Sequence, residues 1–464
     1  MSSEKIWSGR FTKSVDALMQ EFSVSLDIDQ HLFDADIAVN KAWAGALCRT
    51  GIYTDAQTKQ VRDALNAIQK DYHEGKLTFP DHAEDIHSAN EHWLTERLGE
   101  TGARIHTGRS RNDQVVTDLK LYLKEKNLDL QQAILILQSA LTNKAEEHRD
   151  TVLPGQTHLR QAQPISFAHY LLSFFFQLQR DVDRLNQAFE RCDSMPLGAG
   201  AIAGAGFDID RIQLAKELGF SRITENSYDA TSDRDYVNDL LFCCSQIMVH
   251  ISRMAEDLII VSSEGYRFVE LDELFSTGSS MMPQKKNPDS LELIRGKTAR
   301  VIGNQVSGLT LLKGAPTAYV RDLQEDKAPV FDSLYQTTLS VRILAGVVET
   351  LAVFPDRMRA ALTPDLFATD MADYLVRKGM PFRQAHRVIG KIVANAEQNG
   401  TALNSLSLDI MKRHSELIDA DIYECFNPQN ALKNRNIAGG TGPVSIEHQI
   451  KKARELLKQP LIKM

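Results

Sequence analysis

The sequence predicts an all-α protein built around a bundle of long helices. Apolar residues recur in steps of three and four through five segments, as an amphipathic helix requires. Each segment has about 25 to 35 residues, so each helix would extend on the order of 40–50 Å. Several equally long amphipathic helices favour an elongated bundle over a compact α/β domain. The five segments cover about residues 112–147, 164–191, 232–263, 288–313 and 328–353.

Shorter helical segments flank this bundle, and a length of 464 residues favours about three domains. We expect an N-terminal helical domain at residues 1–107, a central long-helix bundle at 108–358 and a small C-terminal helical domain at 359–464. The last boundary follows the break at Pro355, since proline ends helices. The wide apolar stripes cover more helix surface than one chain needs, which indicates partners beyond one chain.

Composition limits the class of protein. With 53 Lys and Arg against 61 Asp and Glu, the formal net charge is −8, which argues against a nucleic-acid surface. The sequence contains neither a signal-peptide core nor a run of about 18 apolar residues, so we expect a cytoplasmic protein. The 5 cysteines form no CxxC pair, so neither a zinc site nor a disulfide framework is indicated.

The segment from Gly278 to Glu292, GSSMMPQKKNPDSLE, has the composition of a catalytic loop. Its two prolines prevent a helix through the middle, while glycine and serines supply flexible backbone and hydroxyls. The helical pattern resumes after Pro288, which puts Glu292 in the first turn of a helix. Such a loop suits elimination chemistry, which needs a base for a carbon proton and positive charge for the carbanion. Ser279 is the candidate base, and Lys285 is the candidate stabilising cation.

Two further motifs accompany this loop: DIHSANE at residues 85–91 and HTGRSRNDQVVTD at residues 106–118. Together the three motifs resemble the signatures of the fumarase/aspartase superfamily and, within it, of the argininosuccinate lyases. The resemblance runs from FSVSLDID near Phe22 to PFRQAHRVIG after Pro381. It implies a reversible β-elimination of argininosuccinate to arginine and fumarate through a carbanion, as a step of arginine biosynthesis. It also implies a homotetramer whose active sites lie where subunits meet, with no metal and no organic cofactor.

The resemblance assigns catalytic roles to individual residues. Ser279 would be the base, assisted by Lys285, because a serine hydroxyl is too weak an acid to ionise alone. His158, in GQTHLRQAQP, would be the acid, and Glu292 would accept its other imidazole N–H and favour its protonated form. Lys285 and Asn287 would stabilise the dianionic intermediate. The sequence leaves open which of Ser279 and His158 is the base and which is the acid.

The implied substrate carries three carboxylates, an α-amino group and a guanidinium, so its binding needs cationic and amide donors. Arginine suits a carboxylate because its guanidinium offers a planar fork of N–H donors. Matches to the family motifs place Tyr319, Gln324 and Lys327 at the arginine-derived end of the substrate. The full set of expected substrate-binding residues is Ser25, His87, Ser88, Asn90, Arg111, Asn112, Thr157, Asn287, Tyr319, Gln324 and Lys327.

Other interpretations of the sequence have less support. His82, His87 and His92 recur at intervals of five, which suits neither helical face and gives little support for a metal site. The glycine-rich run at residues 198–206 lacks the strand–turn–helix context of a dinucleotide site. The alternative functions are another fumarate-releasing lyase of the superfamily and a non-enzymatic structural protein of the crystallin kind, because a fold alone does not fix a function.

Overall fold

The computed structural model describes residues 15–80 and 83–460. Helices dominate these ranges and the strands are short, so the mainly helical class predicted from the sequence is confirmed. Within the same ranges, no helix is both long and apolar enough to cross a bilayer.

Short and medium helices form the part of the chain that precedes the bundle. Trp43 is fully buried there, and its Nε1 donates to the carbonyl of Thr107 at 3.1 Å. Tyr53 donates to the carbonyl of Thr101 at 2.7 Å, so two buried aromatic residues fix the segment that enters the bundle. The helices are α1 (Ala17–Ser23), α2 (Leu26–Asp29), α3 (Phe33–Arg49), α4 (Asp55–His73), α5 (Ile86–Leu98) and α6 (Glu100–Ala103).

The bundle contains the long helices that the apolar periodicity predicts. Its region comprises α7 (Arg111–Glu147), α8 (Phe167–Cys192), α9 (Arg211–Glu217), α10 (Ser227–Ala230), α11 (Asp235–Ser262), α12 (Asp289–Lys313) and α13 (Lys327–Thr350). Helix α11 packs against α8, α12 and α13, and α7 packs against α8 and α13. One predicted start was wrong: the segment from Pro164 begins as a strand. Helix α8 starts at Phe167 because the Ser166 hydroxyl accepts the N–H of Ala168 and caps it.

The strands of the described residues form short two-stranded sheets between the helices. The longest is the antiparallel hairpin of β1 (Val152–Thr157) and β2 (Arg160–Ser166), with His158 and Leu159 at its tip. The other pairs are β3 (Ser194–Met195) with β4 (Arg222–Ile223), β5 (Val269–Glu270) with β8 (Ala352–Val353), and β6 (Thr277–Gly278) with β7 (Lys286–Asn287). The β6–β7 pair closes the base of the loop at residues 278–287.

Smaller helices with a core of their own follow the bundle. Met371, Leu375, Ile389 and Ile392 are among the buried residues of this second core. The last helix returns to pack on α7 and α8, so the predicted division into three domains stays a prediction. These helices are α14 (Pro355–Ala360), α15 (Ala368–Arg377), α16 (Phe382–Gln398), α17 (Leu408–Lys412), α18 (Pro428–Lys433) and α19 (Pro443–Leu457).

The glycine-rich run at residues 198–206 holds the start of α7. The N–H groups of Gly198 and Gly200 donate to Oδ2 of Asp113 at 2.9 and 2.8 Å. Both glycines have positive φ, 90° and 62°, where a side chain would be strained. Burial raises the pKa of Asp113 to about 6 against the opposing pull of these hydrogen bonds. Asp113 also completes a capping box with Ser110, so one carboxylate fixes both segments.

Candidate active site

A cavity of about 580 Å³ lies among the N-terminal helices, the start of α7 and the segment before α13. Its wall carries both cations and carboxylates, which suits a ligand with charges of both signs. Seven of the residues expected to bind substrate line it: Ser25, Ser88, Arg111, Asn112, Tyr319, Gln324 and Lys327. The wall also includes residues outside the expected binding set, namely Asp29, Asp85, Glu91, His106, Arg234 and Arg321.

Two helix starts explain why the motif residues meet at this cavity. Asp85 caps α5 by accepting the N–H of Ser88 at 2.7 Å, and the Ser88 hydroxyl accepts the N–H of Asp85 in return. Ser110 caps α7, so Arg111 and Asn112 occupy the first two positions of that helix. Helix N-termini carry partial positive charge and free N–H groups, which favours negative ligands.

Arg111 is engaged with carboxylates of the cavity wall. Its guanidinium lies 3.6 Å from Asp85 and 3.5 Å from Glu91, and it donates to Gln114 at 2.8 Å. Burial disfavours its charge, but the carboxylates outweigh burial and raise the pKa of Arg111. Burial likewise raises the pKa of Asp85, yet the charge of Arg111 and the hydrogen bonds from Ser88 lower it to about 2 overall. A substrate carboxylate would therefore share Arg111 with two protein carboxylates.

The opposite wall is built on a buried ion cluster. Arg234 and Asp326 form a direct ion pair, and each side chain is only 2% exposed. Lys327 lies 3.5 Å from both Asp326 and Asp29. Burial lowers the pKa of Lys327, but the carboxylates of Asp326 and Asp29 outweigh it and raise the pKa. Lys327 is therefore held as a cation in a nearly dry position.

His87 and Asn90 differ from the other expected binding residues because they lie behind the cavity wall. Both are 1% exposed, and both contact Asp36 of α3. His87 Nδ1 lies 3.0 Å from Asp36 and 3.1 Å from Asp118. Direct substrate contact stays a prediction for both residues, because Nε2 of His87 and Oδ1 of Asn90 have no hydrogen-bond partner among the described residues. Their positions link α3, α5 and α7 under the residues that do line the cavity.

The group formed by Asp36, His87 and Asp118 has donor atoms close enough together to resemble a metal site. Both oxygens of Asp36, however, already accept two N–H donors each. The donors are His87 and Gln114 on Oδ1, and Asn40 and Asn90 on Oδ2. With its acceptor capacity filled, Asp36 has no lone pair left for a cation. The geometry fits an ion cluster whose cation is the imidazolium of His87. His82, the first of the three histidines spaced five residues apart, lies outside the described residues.

Burial and the neighbouring charges shift the pKa values of all three groups in this cluster. Burial disfavours the charged imidazole, but the carboxylates of Asp36 and Asp118 outweigh it and raise the pKa of His87 to about 10. Burial raises the pKa of Asp36, yet His87 and the other donors bring it well below its usual range. Burial and the charge of Asp36 raise the pKa of Asp118 well above its usual value.

Replacing His87 by glutamine should lower the free energy of unfolding by about 3–5 kcal/mol, because the change leaves a buried carboxylate without its cation. Since the pKa of His87 is raised on folding, its contribution is complete below its unfolded pKa of about 6.5 and is lost as pH rises through about 10. The difference between wild type and variant in urea denaturation should therefore shrink from pH 7 towards pH 10. His73→Gln is the control, because its side chain is 54% exposed and its pair with Asp34 should contribute less than about 1 kcal/mol. Equal losses for the two variants would contradict this interpretation.

The loop at residues 278–287 and the hairpin tip lie outside this cavity. The Ser279 hydroxyl oxygen accepts the N–H groups of Met281 and Met282 at 3.3 and 3.0 Å, in a short turn of the loop. His158 and Leu159 have positive φ values of 55° and 56°, which is uncommon for residues with side chains. Leu159 is 74% exposed although it is apolar. Both segments present their functional groups at the surface of a single chain.

The structure of one chain thus separates the expected site residues into groups. The cavity holds seven of them, and His87 and Asn90 lie behind its wall. The β1–β2 tip carries Thr157 and His158, and the loop and the start of α12 carry Ser279, Lys285, Asn287 and Glu292. Among the described residues of one chain, neither a hydrogen bond nor an ion pair joins His158 to Glu292. Asn287 lies instead on a second cavity of about 330 Å³ at the base of the loop. Some cavity residues outside the expected set could have been found from the sequence. Asp85 and Glu91 belong to DIHSANE, and Asp29 follows Ser25 by one helical turn.

Two family models match this chain. The model described as "Lyase" matches residues 9–303, and the one described as "Argininosuccinate lyase C-terminal" matches residues 365–433. The chain is 47% identical to the argininosuccinate lyase of Bacillus cytotoxicus over 454 residues, covering 98% of both chains. It is 47% identical to that of Bacillus cereus over 456 residues, covering 98% of this chain and 99% of the relative.

Solved structures with similar folds extend the comparison. EDDS lyase in complex with formate matches with a TM-score of 0.83 and 28% identity, covering 96% of this chain and 91% of that one. The 3-carboxy-cis,cis-muconate lactonizing enzyme from Pseudomonas putida matches with a TM-score of 0.75 and 16% identity, covering 95% and 100%. At that identity the likeness concerns the fold alone.

Proposed function

The chain belongs to the argininosuccinate lyase family, and on that premise we propose how its residues carry out the reaction. The enzyme converts argininosuccinate to arginine and fumarate. The observation that carries this function is 47% sequence identity to argininosuccinate lyases over 98% of the chain. The cavity supports it, because the substrate bears carboxylates and cationic groups and the wall offers partners for both.

The reaction moves one proton away from carbon and one proton onto nitrogen. A base removes a proton from the CH₂ beside the C–N bond, and the electron pair is delocalised into the adjacent carboxylate. That electron pair then forms the C=C bond of fumarate while the C–N bond breaks. The departing guanidine nitrogen receives a proton from an acid and leaves as part of arginine. Proton and electron counts balance without a redox partner.

Ser279 is our candidate for the base. A serine hydroxyl ionises at neutral pH only with strong help from its surroundings. The N–H groups of Met281 and Met282 already point at its oxygen and would stabilise an alkoxide there. Lys285 on the same loop would add positive charge, and with Asn287 it would stabilise the dianionic intermediate. These contacts support the base role for Ser279 rather than for His158.

His158 is our candidate for the acid, with Glu292 as the residue that orients its ring. Both side chains are exposed in one chain and neither has a partner among the described residues. Thr157 beside His158 would contact a substrate carboxylate. Because the cavity, the hairpin tip and the loop do not converge within one chain, we propose that subunits contribute them jointly to each site.

Exposed apolar residues support such an assembly. On α12, Ile302, Val306 and Leu309 are 41, 59 and 55% exposed, and their spacing puts them on one face of the helix. Tyr335 on α13 is 64% exposed. Apolar stripes on long helices are suited to helix packing between copies, and we propose a homotetramer formed through the bundle. The cytoplasmic location expected from the sequence stays a prediction.

The test of function is fumarate release, followed by its ultraviolet absorbance. Purified protein would be given argininosuccinate, adenylosuccinate, aspartate and malate in separate reactions. Release from argininosuccinate alone is the expected result. Release from another of these substrates would reassign the substrate, and release from none would favour a structural, non-enzymatic role.

Replacing His158 by asparagine should lower kcat by about 10²–10⁴-fold and change KM little, because proton donation acts in the transition state. Steady-state fumarate release measures both constants. His386→Asn is the matched control, since His386 is exposed on α16 and lines neither cavity. A change confined to KM in the His158 variant would make this residue a binding group instead.

A further inference from the structure

The tip of the β1–β2 hairpin is a turn that its own residues do not favour. His158 and Leu159 connect Thr157 to Arg160, and both have positive φ. Two-residue turns with positive φ at both positions favour Asn-Gly, because most side chains are strained there. Within the described parts of the chain, the side chains of residues 157–160 make no hydrogen bond and no ion pair. The turn therefore needs support from residues outside the tip.

A β-bulge lies directly below this tip. Gly155 pairs with Gln163 and Gln156 pairs with Gln161, so Ala162 is one extra residue in β2. A bulge bends its strand and changes the direction of the residues beyond it. The direction of the tip therefore depends on how the first pair beyond the bulge, Gln156 and Gln161, is held.

These two glutamines bind two separate segments of the chain. Gln156 Nε2 donates to the phenol oxygen of Tyr266 at 3.1 Å, in the segment between α11 and β5. Gln161 Nε2 donates to the carbonyl of Ala361 at 3.1 Å, just after α14. Oε1 of Gln161 accepts the hydroxyl of Thr363, also at 3.1 Å. Because a carbonyl can only accept, these partners fix which way the Gln161 amide faces.

The groups that hold the glutamines are themselves fixed by the core. The ring of Tyr266 packs edge-on against Phe268, which is 3% exposed, with ring centroids 5.3 Å apart. Strand β1 contacts α14, and β2 contacts the turn at Pro364–Phe367, where Leu366 and Phe367 are buried. Three hydrogen bonds thus connect the exposed tip to two well-packed segments.

We propose that Gln156 and Gln161 are positioning residues for His158, because they anchor both strands below the tip and so hold the imidazole where it donates its proton. This proposal rests on the proposed function, in which His158 is the acid. Proton transfer requires a donor within hydrogen-bond reach, and a displacement of about 1 Å costs on the order of 10²-fold in rate. Loss of the anchors should therefore lower kcat and leave KM nearly unchanged.

The test removes the partner hydroxyls and keeps the glutamines. Tyr266→Phe and Thr363→Val change the shape of each side chain little, and together they should lower kcat for fumarate release about 10- to 100-fold, with KM within a few-fold. Hydrogen exchange at residues 155–163, measured by mass spectrometry, should be faster in this double variant than in wild type. Thr363→Ser is the matched control, because it keeps the hydroxyl, and it should retain the wild-type kcat and exchange rate.

A second comparison separates positioning of His158 from general stabilisation. In the His158→Asn background, the same two substitutions should lower the remaining kcat less than about two-fold, because no imidazole is left to position. An equal loss in both backgrounds would overturn the proposal, as would unchanged hydrogen exchange at the tip.

Failure of this proposal is distinct from failure of the proposed function. Fumarate release by wild type with an unchanged kcat in the double variant would overturn the positioning role alone. Hydrogen exchange requires no turnover, so faster exchange in the double variant of a protein that releases no fumarate would refute the proposed function and support the anchoring of the tip.

Discussion

Alanine in place of Ser279 should lower kcat by about 10²–10⁴-fold, the range that general-base catalysis commonly supplies. The expected loss is large because the substitution removes the oxygen on which two loop N–H groups converge. Binding of arginine should change little, because Ser279 does not line the main cavity. Steady-state fumarate release and calorimetry with arginine measure the two quantities separately.

Ser280 provides a closely matched control for this variant. It is the next residue of the same exposed loop and has the same side chain. Ser280→Ala should therefore retain turnover within a few-fold, while circular dichroism shows both variants folded. If Ser279→Ala kept near-normal turnover, Ser279 could not be the base, and His158 would become the leading candidate for that role.

The periodicity of apolar residues predicts the long helices of the bundle from the sequence alone. The segments around α7, α11, α12 and α13 were predicted close to their observed ends because their apolar stripes are long. Pro288 also marked the start of α12 correctly, and it occupies the position just before Asp289. Patterns of this kind depend on neighbours one turn apart, so they are visible in a single sequence.

The β1–β2 hairpin shows where that approach failed. The apolar periodicity predicts a helix from Pro164, yet residues 160–166 form a strand. The usual sequence signal for a tight hairpin is Asn-Gly or a similar pair, which allows positive φ at low cost. Here His158 and Leu159 occupy those positions, so the turn carried no such signal. Positive φ at a candidate catalytic residue is consistent with strain kept for function.

The sequence motifs predict residues that line the main cavity, but they do not predict the contacts behind its wall. Motif matching selected His87 and Asn90 together with Ser88, although only Ser88 reaches the cavity. The difference arises from Asp36, which lies about fifty residues earlier and takes both side chains as partners. Contacts over such separations leave no periodic trace in one sequence. The place of Asp29 in the cavity wall is hidden for a related reason, because its ion pair with Lys327 joins residues far apart in the chain.

Tetramers that combine two different inactive variants should recover enzyme activity, if subunits share each active site. Co-expression of His158→Asn and Ser279→Ala subunits with different affinity tags should recover activity that neither variant has alone. If His158 and Ser279 of one site come from different subunits, about a quarter of the sites in a random one-to-one mixture would hold both intact residues. Fumarate release by hybrids purified through both tags should thus rise from near zero towards about a quarter of the wild-type kcat per site.

A second pair of variants separates shared sites from mere stabilisation by mixing. Ser279 and Lys285 lie on the same loop, so one subunit supplies both to any given site. Hybrids of Ser279→Ala and Lys285→Ala should accordingly stay inactive, because every loop in them carries one defect. Recovery with the first pair and not with the second would require that the hairpin tip and the loop reach a site from different chains. Inactive hybrids of the first pair, with their tetrameric mass verified, would mean that one chain supplies both groups. His158 and Glu292, which are exposed and apart in one chain, would then have to be brought together by a rearrangement within that chain.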